Sequence, residues 1–473
     1  MDEQHLTPEN DRPDPLEQFL SDMLGPEGAR EAARAMRSQG FDISQIPGMD
    51  NPQAMSMAMN QFKFMMQSST EPVNWRMVEE MSRAQTKRSG DKHVTHPEKT
   101  KATLALSTAD LWLDPVTAFV LSGAQREAWD RATWISETLP AWKEISNPVA
   151  ENASRAMEEA LGEELSAHAT GLPPELAGLA SALPSVLPKL ASMALAAQIG
   201  QALSAMAEES LGAHDAGFPL TQSSVTALVP ANIAKFGEGL NIPEEEVAQY
   251  LAVRECAHAR LFAAVPWLRH NLHVALQRYA EQIAIDPEAI ASAAHSIDPS
   301  NPESITQAME NGVFASKPSK DQAASLERLE TLLALIEGWV EVVTTEATRA
   351  YLPNAASLQE MVRRRRVTGS PAEALLTQLV GLELRPREAR NAAQIFKKLQ
   401  DSGGAEARDG AWSHPDKVPT TAHLADPESF FADEVEQSDT EFEDQLEALL
   451  SGTLGWDEGV PEDQRGGQEE DDS

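Results

Sequence analysis

The chain has 473 residues, of which 74 are Asp or Glu and 38 are Lys or Arg, so its formal net charge is −36. This charge excludes a general binder of nucleic acids or anionic membranes, because both kinds of binding depend on Lys and Arg. The single cysteine excludes an internal disulfide framework and a zinc module built from several cysteines.

Residues 1–75 are predicted to form a flexible, Met-rich segment with short helices. The methionines near its end are grouped around two phenylalanines: Met55, Met57, Met59, Met65 and Met66 with Phe62 and Phe64. Such a group is typical of a pliable surface for a partner helix, or of a short amphipathic helix that docks on the rest of the chain.

Neither a signal peptide nor a membrane span is predicted. Residues 1–17 are acidic and interrupted by prolines, whereas a signal peptide needs a basic start and an apolar middle. The most apolar window, Leu172 to Met206, is interrupted by four prolines and Lys189 before it reaches the roughly 20 apolar residues of a span. With no disulfides, the sequence predicts a cytoplasmic protein.

Residues 76–424 are predicted to form one large all-α domain. The basic stretch Lys87–Lys101 lacks aromatic residues and predicts a solvated loop. From Ala102 onward apolar residues recur at helical spacing, and strand-like alternation is nearly absent. The predicted helices are 104–121, 126–138, 148–163, 175–183, 190–211, 221–236, 243–263, 266–283, 286–295, 303–310, 320–350, 355–367, 371–379 and 385–401.

Residues 425–473 are predicted to be a disordered acidic tail. From Asp426 to Ser473 there are eighteen acids and one base, Arg465, which is a local charge of −17. Such a run cannot bury enough apolar surface to offset its ordering entropy. Within it, Phe442, Leu446, Leu449 and Leu450 are spaced for a short interaction helix.

One segment, Tyr250–Arg269, combines helical spacing with buried ionisable residues: it reads YLAVRECAHARLFAAVPWLR. On a helix, Leu251, Glu255, His258 and Phe262 share one face. An acid and an imidazole within an apolar stripe cost free energy unless they are paired or bound to a metal. This face is therefore the first candidate for a functional site.

The same spacing resembles the HExxH motif, in which two His bind zinc and the Glu between them activates a zinc-bound water. Glu255 and His258 match the last four positions of that motif, but the first position is Arg254. A guanidinium cannot ligate zinc. The pattern ExxH alone is weak.

Several separated blocks of the sequence are similar to the bacterial zincin-like metallopeptidase type 2 family. They are WLD at 112–114, LPAW at 139–142, FPL at 218–220, RECAHARLFAAVPWLR at 254–269, LLALIEGWVEVV at 332–343, LVGLELRPREAR at 379–390 and WSHPDKVPTTAHLADP at 412–427. The resemblance covers roughly residues 100–427. It implies a helical zincin-like fold with a metal cleft, and Arg254 places this chain in a branch that reads RExxH.

In such folds a later helix supplies a further metal ligand, and the best candidate is Glu337, because Leu333, Glu337 and Val340 share a helical face. The prediction is that His258 and Glu337 hold zinc while Glu255 is the general base of peptide hydrolysis. The alternative for Glu337 is a structural salt bridge to Arg254 or Arg269. The corresponding alternative function is an inactive relative that binds a peptide or protein partner.

Other candidate residues carry weaker signals. His270 and His273 could replace the missing ligand if their helix folded back, and Cys256 is predicted to be a core residue because it points away from the Glu255 face. The run Arg363–Arg366 predicts a solvated helical face or a site for an acidic segment. A di-metal carboxylate site is less favoured, because no second Glu-x-x-His pair is found on an apolar face.

Overall fold

The computed structural model describes residues 71–168, 192–193, 195–221, 225–281, 320–367 and 387–432. The Met-rich segment, the tail beyond residue 432 and the helices predicted at 175–183, 286–295, 303–310 and 371–379 lie outside these residues. The predicted domain boundaries therefore stay predictions.

The described part of the chain is mostly helical, as predicted, and includes two short strands. The helices are α1 (Trp75–Arg88), α2 (His96–Leu113), α3 (Arg131–His168), α4 (195–207), α5 (Pro230–Gly237), α6 (Glu244–Ala264), α7 (Pro266–Glu281), α8 (Lys320–Thr348), α9 (Ala355–Val367), α10 (Arg387–Gly410) and α11 (Thr421–Ala425). The strands are β1 (Gln125–Ala128) and β2 (Val225–Leu228). No helix within these described ranges has the length and apolarity that crossing a membrane requires.

The start of α2 corrects the loop predicted at 87–101. Thr95 caps this helix by accepting a hydrogen bond from the backbone N–H of Glu98, and the Glu98 side chain accepts one from the backbone N–H of Thr95. This reciprocal capping box, followed by Pro97 in the first turn, starts the helix well before residue 104. The helix ends at Leu113, because Pro115 cannot donate the backbone hydrogen bond that a further turn needs.

The two strands also correct the predicted helices 126–138 and 221–236, because residues 126–128 and 225–228 are extended. β1 and β2 pair in parallel, with Gln125 opposite Val225 and Ala128 opposite Leu228. Every residue of β2 is buried, so its side chains do not alternate between apolar and polar. The pairing joins segments about a hundred residues apart, which local periodicity does not reveal.

The core is built around α6 and α8, whose central turns are buried on all sides. Every residue from Tyr250 to Phe262 is buried. α8 packs against α6, α7 and α10. Its Gly338 allows the close approach to α10, because a Cβ there would lie 2.6 Å from the Cβ of Ala392. Charged residues on α6 therefore lie in the interior of the domain.

Candidate functional site

Two neighbouring buried helices bring three of the singled-out side chains together. His258 and Arg254 of α6 both contact the carboxylate of Glu337 on α8. The His258 Nε2 lies 3.1 Å from Glu337 Oε1, and Arg254 Nη2 lies 2.8 Å from Glu337 Oε2. Glu337 is 8% exposed and His258 2% exposed. The contact between Arg254 and Glu337 is the salt bridge given above as the alternative role of Glu337.

A second arginine, which the sequence reasoning did not connect to the site, also binds Glu337. Arg366 of α9 places its Nη2 2.6 Å from Glu337 Oε1. Its neighbour Arg365 contacts both carboxylate oxygens of Asp215, at 3.1 and 2.9 Å. Arg363 pairs with Glu341, and Arg364 with Glu360 at the surface. The prediction of a solvated face for the four-arginine run is therefore wrong for three of its members.

The pKa of Glu337 is set by burial and by the guanidinium groups of Arg254 and Arg366. Burial pushes the pKa of Glu337 upward, but Arg366 and Arg254 outweigh it and hold the pKa well below its usual range. Burial lowers the pKa of Arg254, and Glu337 reverses this effect and raises it. Burial also lowers the pKa of Arg366, which Glu337 partly offsets. The carboxylate and its arginine partners thus form a buried ion-paired cluster.

Glu255 lies beside this cluster and contacts a different set of groups. Its carboxylate accepts hydrogen bonds from the backbone N–H of His214 at 3.0 Å and of Ala227 at 3.2 Å, and from the His214 ring Nδ1 at 2.8 Å. A Cβ on Gly212 would come within 2.7 Å of Glu255 Oε2. Glu255 therefore holds the 211–217 loop and β2 against α6.

His214 was not identified from the sequence, because it lies in a loop without a recognisable motif. The loop is held in place by Trp134 of α3, whose Nε1 donates to the carbonyl of Gly212 at 3.1 Å. The His214 ring stacks at centroid distances of 6.4 Å from His258 and 5.7 Å from Phe262. Only the tertiary structure brings this loop to α6.

The orientation of His258 is set by its own helix. Its Nδ1 lies 2.9 Å from the backbone carbonyl of Arg254, and a carbonyl can only accept, so Nδ1 carries a proton. The other ring nitrogen is thereby directed at Glu337. Hydrogen bonds to a backbone carbonyl also fix the tautomer of metal-binding histidines.

The remaining singled-out residues lie elsewhere. His270 and His273 are exposed on α7, and His273 Nδ1 is 3.8 Å from a Glu144 oxygen. Arg269 donates to the backbone carbonyl of Thr221 at 2.9 Å instead of pairing with Glu337. Cys256 is a buried core residue, as predicted, and burial raises the pKa of its thiol well above the usual value.

A groove of about 390 Å³ lies between α3, α7 and the 218–221 turn. Its walls include the apolar side chains of Ile145, Phe218 and Leu272, and Glu144 and Arg269 lie among its lining residues. This volume accommodates one or two apolar side chains of a bound segment.

The side chains around Glu337 do not fit a zinc ion as they are arranged. Glu337 Oε1 contacts both His258 and Arg366, Oε2 contacts Arg254, and neither guanidinium can ligate a metal. A zinc ion needs about four ligands, and an ion between His258 and Oε1 would lie beside the charged Arg366. Among the residues that the structure describes, no group of three His, Cys, Asp or Glu side chains is arranged to hold a metal ion.

In this helical domain a Glu-x-x-His segment of one buried helix meets an acid of a second helix. The model of the zincin-like metallopeptidase family matches residues 73–431, and the chain belongs to this family. Among curated proteins, none matches the chain.

One solved structure shares the fold. It is described as a "putative hydrolase with a novel fold" from Chloroflexus aurantiacus, and it is 15% identical to this chain with a TM-score of 0.54. The match covers 76% of this chain and 98% of that one. At this identity the likeness concerns the fold alone.

Proposed function

We propose that this chain is a non-hydrolytic member of the zincin-like metallopeptidase family that binds a peptide or protein segment without cleaving it. The contact between Arg254 Nη2 and Glu337 Oε2, 2.8 Å long, carries this proposal. It puts a permanent positive charge at the motif position where HExxH has a zinc ligand, and it pairs that charge with the acid from the later helix.

The state of Glu255 also supports the loss of catalysis. A general base must reach a water or a substrate proton, and it must have a free lone pair for it. Glu255 is 4% exposed, and three of the roughly four lone pairs of its carboxylate already accept hydrogen bonds from His214 and Ala227. Its role in this proposal is to position the 211–217 loop.

Metal-assisted peptide hydrolysis is the competing function, with zinc held by His258 and Glu337 and with Glu255 as general base. Family membership favours it. The proposal is tested by the zinc content of the purified wild type and of His258→Ala, together with cleavage of labelled casein. We expect no stoichiometric zinc and no cleavage in either protein. Stoichiometric zinc that disappears in His258→Ala, accompanied by cleavage, would overturn the proposal.

The groove between α3 and α7 is the proposed site for the peptide segment. Ala141, on α3, lines it, and a large side chain at this position would fill the space. We expect Ala141→Trp to abolish anisotropy changes in a library of short fluorescein-labelled peptides. Ala84→Trp, on the exposed side of α1, is the matched control and is expected to bind like the wild type. Equal peptide binding by both variants would exclude the groove as the binding site.

The proposed location is the cytoplasm, where a chain with one cysteine needs no disulfides. The observation that supports it is that this cysteine, Cys256, is a free thiol. Fractionation of cells that express the tagged chain tests this location.

A further inference from the structure

The two arginines of the cluster contact different oxygens of the Glu337 carboxylate. Arg254, from α6, contacts Oε2 at 2.8 Å, whereas Arg366, from α9, contacts Oε1 at 2.6 Å. His258 Nε2 faces Oε1, at 3.1 Å. An ion that bridged His258 and Glu337 would therefore bind the oxygen that Arg366 occupies, and not the one that Arg254 occupies.

Arg254 and Arg366 therefore oppose metal binding in two different ways, and the RExxH motif reveals only the first. Arg254 removes a ligand from α6 and neutralises Oε2. Arg366 adds a second permanent cation at Oε1, and it is further anchored by a 3.3 Å hydrogen bond to the backbone carbonyl of Asp215. Substituting Arg254 by His would return the motif residue and leave the cation at Oε1 in place.

We propose that Arg366 is a second determinant that keeps divalent metal out of the site, so that metal binding returns only when both arginines are replaced. The inference rests on the proposed loss of the metal centre. The variant with His at position 254 and a neutral side chain at position 366 would offer two imidazoles and one carboxylate around an open position, which is the ligand set of a zinc site.

Arg366→Gln is the informative change at the second position. Glutamine removes the charge and keeps an amide that can still donate to the Asp215 carbonyl. The matched control is Arg365→Gln, since Arg365 is the adjacent arginine and contacts Asp215 and the carbonyl of Glu209 rather than Glu337.

The experiment compares the wild type, Arg254→His, Arg366→Gln, the Arg254→His/Arg366→Gln double variant and the Arg254→His/Arg365→Gln control. Each protein is equilibrated with zinc, dialysed and analysed for bound metal, and Co²⁺ absorption reports the ligand geometry. We expect about one zinc per chain in the first double variant only. Its zinc affinity should exceed that of Arg254→His by roughly 10–100-fold.

Stoichiometric zinc in Arg254→His alone would overturn this inference and leave the proposed function standing. Zinc in the wild type would overturn the proposed function itself. A folded double variant without zinc would also overturn the inference. Circular dichroism checks folding, and if the glutamine variant does not fold, Arg254→His/Arg366→Met provides the same test with an apolar side chain of similar length.

Discussion

Two buried carboxylates lie on adjacent helices of this domain, and the structure satisfies them in opposite ways. Glu255 receives two backbone N–H groups and one imidazole, all at the 211–217 loop or β2. Glu337 receives two guanidiniums and one imidazole. The first acid joins a loop to a helix, whereas the second balances the charge of one buried and one partly buried guanidinium. The same residue type therefore has different energetic roles within one core.

The largest loss of stability is expected when Glu337 is replaced. Glu337→Ala would leave Arg254 buried and Arg366 partly buried without their counter-charge, and we expect the free energy of unfolding to fall by about 3–5 kcal/mol. Denaturant unfolding followed by circular dichroism measures the change. The control is Glu360→Gln, which alters an exposed ion pair with Arg364 and should leave the unfolding midpoint where it is. Equal midpoints for Glu337→Ala and the wild type would contradict the ion-pair interpretation.

The pH dependence of stability sharpens the comparison. Burial alone would raise the pKa of Glu337, but the two arginines lower it well below its usual range. An acid with a depressed pKa in the folded state stabilises the protein above its unfolded pKa, about 4.3, and this stabilisation is lost as the pH falls toward the folded pKa. We therefore expect the wild type to lose stability more steeply than Glu337→Gln below about pH 4.3. Parallel urea midpoints for the two proteins in acid would refute this expectation.

A smaller loss of stability is expected when the backbone beside Glu255 is crowded. A Cβ on Gly212 would lie 2.6 Å from the Ala227 carbonyl and 2.7 Å from Glu255 Oε2, so Gly212→Ala should destabilise the protein by about 1–3 kcal/mol through crowding. Gly410→Ala is the control, because a Cβ at Gly410 meets no atom within 4 Å. Thermal unfolding compares the two variants. If Gly410→Ala were the more damaging change, the close contact at Glu255 would be unimportant.

Helical periodicity predicted the central helices well. The predicted helix 243–263 differs by one residue at each end from α6, the predicted helix 266–283 begins at the same residue as α7, and 355–367 coincides with α9. The elements that were predicted wrongly depend on features other than helical periodicity. The start of α2 depends on a capping box, and the two strands depend on pairing across a hundred residues. Pro140 and Pro148 lie within α3, which continues through the gap between the predicted helices 126–138 and 148–163.

From the sequence, the two acids, His258 and the cation Arg254 of the candidate site could be named, whereas Arg366 and the 211–217 loop were missed. An acid within an apolar helical face is visible in sequence, and so Glu255, His258 and Glu337 could be singled out. The runs that contain Arg366 and His214 carry no comparable signal. The arginine run looks like a polar helical surface, and the 211–217 loop has no periodicity. Their proximity to α6 and α8 arises from chain packing.

The sequence by itself determined the family, the helical class and the placement of charges on otherwise apolar faces, because these depend on residue identity and on spacing within one helix. The tertiary structure decided which charge neutralises which. Glu337 meets Arg254 across 83 positions of the chain, and Glu255 meets His214 across 41. Such partners are chosen by the packing of separate elements, since a buried charge must find its counterpart wherever the fold brings one within hydrogen-bonding distance.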